Sequence, residues 1–86
     1  MASIKNVELA RSVLRDALGL GGRADRLGPD SPVLGGIPEF DSMAVVTVVA
    51  LIEERLCVSI DDDDLTADVF STVGTLADFI GERTGN

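Results

Sequence analysis

Two stretches of apolar periodicity organise the chain. Near the N-terminus Ile4, Val7, Ala10, Val13, Leu14, Ala17 and Leu18 recur at helical spacing, while Lys5, Glu8, Arg11, Arg15 and Asp16 fill the other side. This predicts an amphipathic helix from Ser3 to Leu18, with Ser3 as cap and Gly19 or Gly21 as stop. A second run, Met43-Ala-Val-Val-Thr-Val-Val-Ala-Leu-Ile52, reads two ways. Its β-branched content favours a strand. Its unbroken continuation into Glu53-Glu54-Arg55-Leu56 favours a helix, and a helix from Ser42 to Leu56 is the reading taken. That helix gathers Val45, Val48, Val49, Ile52 and Leu56 on one face. It turns Ala44, Val46, Thr47 and Ala50 outward, an exposed apolar stripe of the kind that docks partners.

Between the two helices, Gly19 to Asp41 reads as one long loop, with Gly and Pro recurring through Gly21-Gly22, Gly28-Pro29, Pro32, Gly35-Gly36 and Pro38. Loops of this length are held down by apolar contacts or have a task, and Leu27, Val33, Leu34, Ile37 and Phe40 are the candidate tacks. After Ile60 come Asp61, Asp62, Asp63 and Asp64. They lack the alternating ligands, central Gly and closing Glu of a calcium loop. They read as an acidic helix start, a loose cation-binding patch at most, with a short helix around Ala67 to Phe70 beyond. Thr75-Leu-Ala-Asp78 has the form of a capping box and predicts a final helix through Arg83 with Leu76, Phe79 and Ile80 inward. The expected fold is all-α: a four-helix bundle, residues 1–86 in one domain, with a long loop between helices 1 and 2 and a short third helix.

Composition narrows the function. The 86 residues are 45% apolar and carry a formal charge of −8, enough for a modest core and too apolar for a disordered tail. The charge is lopsided: through Pro38 basic and acidic residues nearly balance, whereas from Glu39 onward two basic residues face eleven acidic ones. Such a half repels nucleic acid and favours basic protein surfaces. The longest apolar stretch is too short for a bilayer, which takes ~20 residues. No signal peptide is visible, so a cytoplasmic protein is expected. The lone Cys57 cannot pair within the chain and is expected to pack as a small hydrophobe. The Gly pairs match no phosphate-binding loop.

The residue on which chemistry can rest is Ser42, in Ile37-Pro-Glu-Phe-Asp-Ser-Met-Ala-Val45, where the loop gives way to the second helix. Asp41 or Ser42 supplies the N-cap oxygen of that helix, and from spacing alone Ser42 is only a cap. A hydrolytic nucleophile needs a base; the chain has no His, a single Lys and no S-x-x-K motif here. A third role is covalent attachment, since a helix start favours a bound phosphate.

The segment resembles the prosthetic-group site of acyl carrier proteins, whose Asp-Ser-Leu opens the second helix and stands here as Asp41-Ser42-Met43. The resemblance extends over the amphipathic first helix, the Pro/Gly-rich loop, the second helix ending in Glu53-Glu54-Arg55-Leu56, Ile60 followed by acids, and Thr75-Leu-Ala-Asp-Phe-Ile80. It implies a bacterial-type discrete carrier, not an enzyme. A phosphopantetheinyl transferase would move 4′-phosphopantetheine from coenzyme A onto Ser42, and the arm would hold acyl intermediates as thioesters for acyl-loading and acyl-consuming enzymes with basic docking patches. It implies a monomer whose partner-recognition residues are Asp41, Met43, Val46, Glu53 and Glu54, with Asp41 also helping to place the transferase's metal. Acyl chains would enter between the helices. The chain departs from the fatty-acid-synthesis type in having Ala44, Val45 and Thr47 where early acids usually stand, and in its length between Ile60 and Val73. The stretch from Asp30 to Met43 is also similar to discrete carriers of bacterial polysaccharide or exosortase-linked clusters, which implies a specialised lipid- or polysaccharide-linked or secondary pathway. The other readings left open are a peptidyl carrier, which Phe40-Asp41 argues against, and an unmodified acidic helical interaction module.

Overall fold

The computed structural model describes residues 4–84. Helix α1 spans Ile4–Leu18, α2 Ser42–Leu56 and α3 Val73–Thr84. The long loop carries a 3-10 helix, Gly21–Arg26, and a short third helical segment, Asp62–Asp64, lies between α2 and α3. The bundle and the long first loop match expectation, a short third segment is present but at Asp62–Asp64 rather than around Ala67 to Phe70, and run length rather than β-branched content decides α2. Ser3 lies outside the described residues.

The core forms where the apolar faces meet. Val7, Ala10, Val13 and Leu14 of α1 pack against Val73, Leu76, Ala77, Phe79 and Ile80 of α3 and against Val48 and Ile52 of α2. Ile4, assigned to this stripe by spacing, is instead 80% exposed at the first position of α1. Ala44, expected outside α2, is buried. The buried face is centred on Ala44, Val48 and Ile52, and Val45, Val49 and Leu56 flank it half-buried. At the surface, Arg55 of α2 reaches across to Ser12 (3.1 Å) and to the Asp16 carboxylate on α1. That guanidinium, helped by Arg15, holds Asp16 below its ordinary pKa.

The long loop is sewn to the start of α3. Leu34 N–H donates to the Phe70 carbonyl (2.8 Å) and Val33 N–H to that of Ser71 (3.1 Å). In return Val73 N–H donates to Ser31 (2.9 Å) and Gly74 N–H to Pro29 (2.8 Å). Val33, Ile37 and Phe40 sink into the core; Leu27 is half-buried and Leu34 half-exposed. Phe40 rests on Phe70, ring centroids 5.3 Å apart. The chain from Ala67 to Phe70 makes turns rather than the expected short helix, through bonds from Val69, Phe70 and Ser71 N–H to the carbonyls three residues back. These i→i−3 bonds take the Thr66, Ala67 and Asp68 carbonyls that an α-helix would bond to N–H groups four residues on.

The helix ends also differ from the sequence signals. The capping box is Thr72-Val-Gly-Thr75, not Thr75–Asp78: Thr75 N–H donates to Thr72 Oγ1 (3.1 Å) and Thr72 N–H to Thr75 Oγ1 (2.9 Å). At the end of α1 Gly19 takes the left-handed conformation (φ 64°), and Leu20 N–H reaches back to the Arg15 carbonyl (3.1 Å), a glycine-terminated helix end. At the end of α2 the same left-handed position is held by Cys57 (φ 53°), which is exposed rather than packed. A side chain there costs about 1–2 kcal/mol.

Two substitutions separate these features in urea denaturation. Cys57→Gly is expected to stabilise by up to about 1 kcal/mol, the relieved strain less the entropy of a new glycine. Gly74→Ala is expected to destabilise by about 1–3 kcal/mol, because its Cβ would lie 2.8 Å from the Pro29 carbonyl oxygen.

Candidate functional site

Ser42 is the first residue of α2, and Asp41 is its N-cap. Asp41 has extended backbone (φ −120°, ψ −170°), and its Oδ1 accepts from Ala44 N–H at 2.9 Å. Of the two residues to which the sequence offered the cap, Asp41 takes it and Ser42 does not. The Ser42 hydroxyl is exposed and makes no hydrogen bond among the described residues. First-turn N–H groups have no acceptor within their helix, so Ser42 and Met43 present open donors beside that hydroxyl.

What fixes this helix end is apolar. Phe40, just before the cap, packs on Phe70 and is buried, and its N–H donates to the Ile37 carbonyl (2.9 Å). Phe40 and Val45, one turn into α2, both line the same hollow and hold the N′ and N4 positions of a hydrophobic staple. Glu39 is held by Arg23 from the 3-10 helix, whose two guanidinium nitrogens grip both carboxylate oxygens (Nη2–Oε1 2.8 Å). That pairing keeps the Glu39 carboxyl below its ordinary pKa and raises that of Arg23.

The predicted recognition residues divide between surface and interior. Met43 and Val46 are 71% and 62% exposed. Glu54 is exposed. Glu53 is half-buried, and its carboxylate accepts from Ile60 N–H at 2.9 Å, tying the chain after α2 back onto the helix. Asp61, Asp62 and Asp63 are exposed, and Asp64 pairs with Arg83 of α3 at 3.3 Å. Among the described residues no group of acids converges on a metal position.

Beside the first turns of α2 lies a hollow of about 220 Å³, lined by Leu34, Phe40, Val45, Leu65, Ala67 and Phe70 with Thr66 at its side. Leu65, Ala67 and Phe70 of its lining escaped the sequence reading, which took Ala67 to Phe70 as a short helix and gave it no apolar face. The available signal was the density of apolar residues in the interval between Ile60 and Val73.

This is the arrangement of a carrier: a small helical bundle, an exposed hydroxyl at the start of its second helix, and an apolar hollow alongside. Residues 8–80 match the family model described as the phosphopantetheine attachment site. The chain belongs to the phosphopantetheine-attachment family of carrier proteins. The prosthetic group of that family is a covalently attached 4′-phosphopantetheine. The solution structure of the holo acyl carrier protein of Nitrosomonas europaea superposes on the carrier with a TM-score of 0.88 at 42% identity, covering 96% of this chain and 100% of that one. No curated protein matches the sequence. Among the described residues no helix is long and apolar enough to cross a membrane.

The Arg23–Glu39 pair gives the carrier's loop a defined pH response. A carboxylate with a lowered folded pKa contributes stability above its unfolded pKa and loses it as pH falls through the folded value. The stability difference between wild type and Glu39→Gln should therefore be constant near neutral pH. It should shrink as pH drops below the ordinary carboxyl value of 4.5, and urea midpoints measured across that range check it.

Proposed function

We propose that Ser42 is the attachment point and that the protein carries acyl intermediates, presenting them to partner enzymes without catalysing their conversion itself. The observation that carries this reading is an unencumbered hydroxyl at the first position of α2, with capping assigned to Asp41. The residues suit the group. A phosphodiester on Ser42 would meet the open N–H groups of the first turn and the positive end of the helix dipole, which favours an anion. When bound, 4′-phosphopantetheine supplies a terminal thiol that holds acyl groups as thioesters.

The chain's own residues do the rest. Asp41 fixes the helix start and offers its second carboxylate oxygen to a transferase-bound metal. Phe40 and the Phe70 ring keep the Ser42 backbone at one height over the bundle. Leu34, Val45, Leu65 and Phe70 give an acyl chain apolar contact, at about 0.8 kcal/mol for each CH₂ taken from water. The partners are a phosphopantetheinyl transferase and the enzymes that load and consume the acyl group. A discrete monomer in the cytoplasm, serving a specialised lipid- or polysaccharide-linked pathway, fits the resemblance of the Asp30–Met43 stretch.

The test is an intact mass measured after incubation with coenzyme A and a broad-specificity transferase. Wild type should gain one phosphopantetheinyl group and Ser42→Ala none, while Ser42→Ala keeps its helix content and loses less than about 0.5 kcal/mol of stability, as expected of an exposed position that bonds nothing. Unmodified wild type beside a fully loaded control carrier would overturn the assignment.

A further inference from the structure

Glu53 collects three backbone N–H groups from the chain that follows α2. Its carbonyl accepts from Cys57 N–H and from Val58 N–H (3.3 Å), and its carboxylate Oε2 accepts from Ile60 N–H (2.9 Å). The first two bonds are those of a left-handed helix end. The third is not, since it brings a side chain to a donor seven residues on. The Ile60 side chain is buried in the core. A backbone N–H beside a core needs an acceptor, and the Glu53 carboxylate is the one it finds among the described residues.

Beyond Ile60 the chain has weaker ties. Asp62–Asp64 form a single 3-10 turn, closed by local bonds from Asp64 N–H to the Asp61 carbonyl and from Leu65 N–H to that of Asp62. Asp64 meets Arg83 of α3 at the surface (3.3 Å), a pairing of little weight on its own. The next firm anchor is at Phe70 and Ser71, whose carbonyls accept from the long loop. Between the two anchors lie Leu65, Thr66 and Ala67, all of which line the hollow beside the first turns of α2. Leu65 is half-buried, and Thr66 and Ala67 are exposed. This side of the hollow is a strap held firmly at two points, and one of them is a single carboxylate.

We propose that Glu53 is a positioning residue for the cargo: by holding Ile60 it keeps Leu65, Thr66 and Ala67 close to α2, and so sets how much of an acyl chain the hollow covers. The proposal rests on the carrier reading. It gives Glu53 an internal task in place of the partner-recognition role that the resemblance implied. Glu53 touches no cargo itself and acts through the strap. With its bond to Ile60 lost, residues 61–67 move outward more often, and a thioester whose chain lay in the hollow spends more time in water. An acetyl group is too short to need that cover and is indifferent to it.

For the test, a broad-specificity transferase moves octanoyl- or acetyl-phosphopantetheine from the matching coenzyme A thioester onto Ser42 of the full chain. Neutral hydroxylamine then attacks the thioester carbonyl, giving the hydroxamic acid and the free thiol, and intact mass follows the cleavage. Glu53→Ala should speed octanoyl cleavage about fivefold, the population shift of one hydrogen bond, and leave acetyl cleavage unchanged. Glu53→Gln keeps an acceptor oxygen and should match wild type with both groups. In wild type, octanoyl loading should slow exchange of the Ile60 amide proton about threefold relative to acetyl loading. A bond serving stability alone would not respond to the cargo, and this readout stands even where Glu53→Ala fails to fold. Equal octanoyl cleavage in wild type and Glu53→Ala, equal acceleration of both thioesters, or an Ile60 amide indifferent to the cargo would overturn the proposal alone. A chain that gains no mass beside a loaded control carrier removes the attachment reading, and the proposal with it.

Discussion

The backbone bonds between residues 29–34 and 70–74 are the constraint on which the rest of the structure depends. They hold a Gly- and Pro-rich loop that has little core of its own. With Val33 and Leu34 fixed against Ser71 and Phe70, the chain has few ways to reach α2, and Phe40 must come down on the Phe70 ring. The height of Ser42 is a consequence of that contact. The pinning also ties down the end of the turns before α3, where the Phe70 and Ser71 carbonyls accept from the loop. Bonds of this kind contribute only about 1 kcal/mol each, but here several act on one segment.

Around Ser42 the structure separates two tasks that the sequence allows one residue to share. Asp41 satisfies the helix, and Ser42 is left without a structural duty. The neighbouring acids are similarly engaged, Glu39 by Arg23 at the surface and Glu53 by Ile60 N–H. A count of acidic residues therefore overstates the negative field near the hydroxyl. Much of the exposed negative charge lies farther along the chain, at Glu54 and at Asp61 to Asp63.

Local patterns were legible where the physics is local. Helical spacing gave α1 and α2 nearly to the residue, because an amphipathic stripe is written at intervals that tertiary contacts seldom alter. The loop's tacks Val33, Ile37 and Phe40 were visible as isolated apolar residues among turn formers. Non-local features were not legible. The α3 start moved three residues earlier because Thr72 is fixed by Pro32 across the chain, and the hidden signal was a second Thr at capping distance. Cys57 looked like a core residue by type, yet its position ends a helix, and nothing in one sequence shows that a non-glycine has taken the left-handed place. The place of Ser42 at the start of α2 was legible, whereas the roles of Glu39 and Glu53 depended on partners sixteen and seven residues away.

The stitching of the loop to α3 also sets an order of events. Its bonds join residues separated by 36 positions (Leu34 to Phe70) and up to 45 (Pro29 to Gly74). Contacts this distant in sequence form only after the intervening chain has closed on itself. A ribosome would release Ser42 well before it had made the residues that hold Phe40 and the loop in place. A nascent chain would thus expose the serine on an unanchored α2, and the hydroxyl would acquire its defined setting only when the last helix arrived.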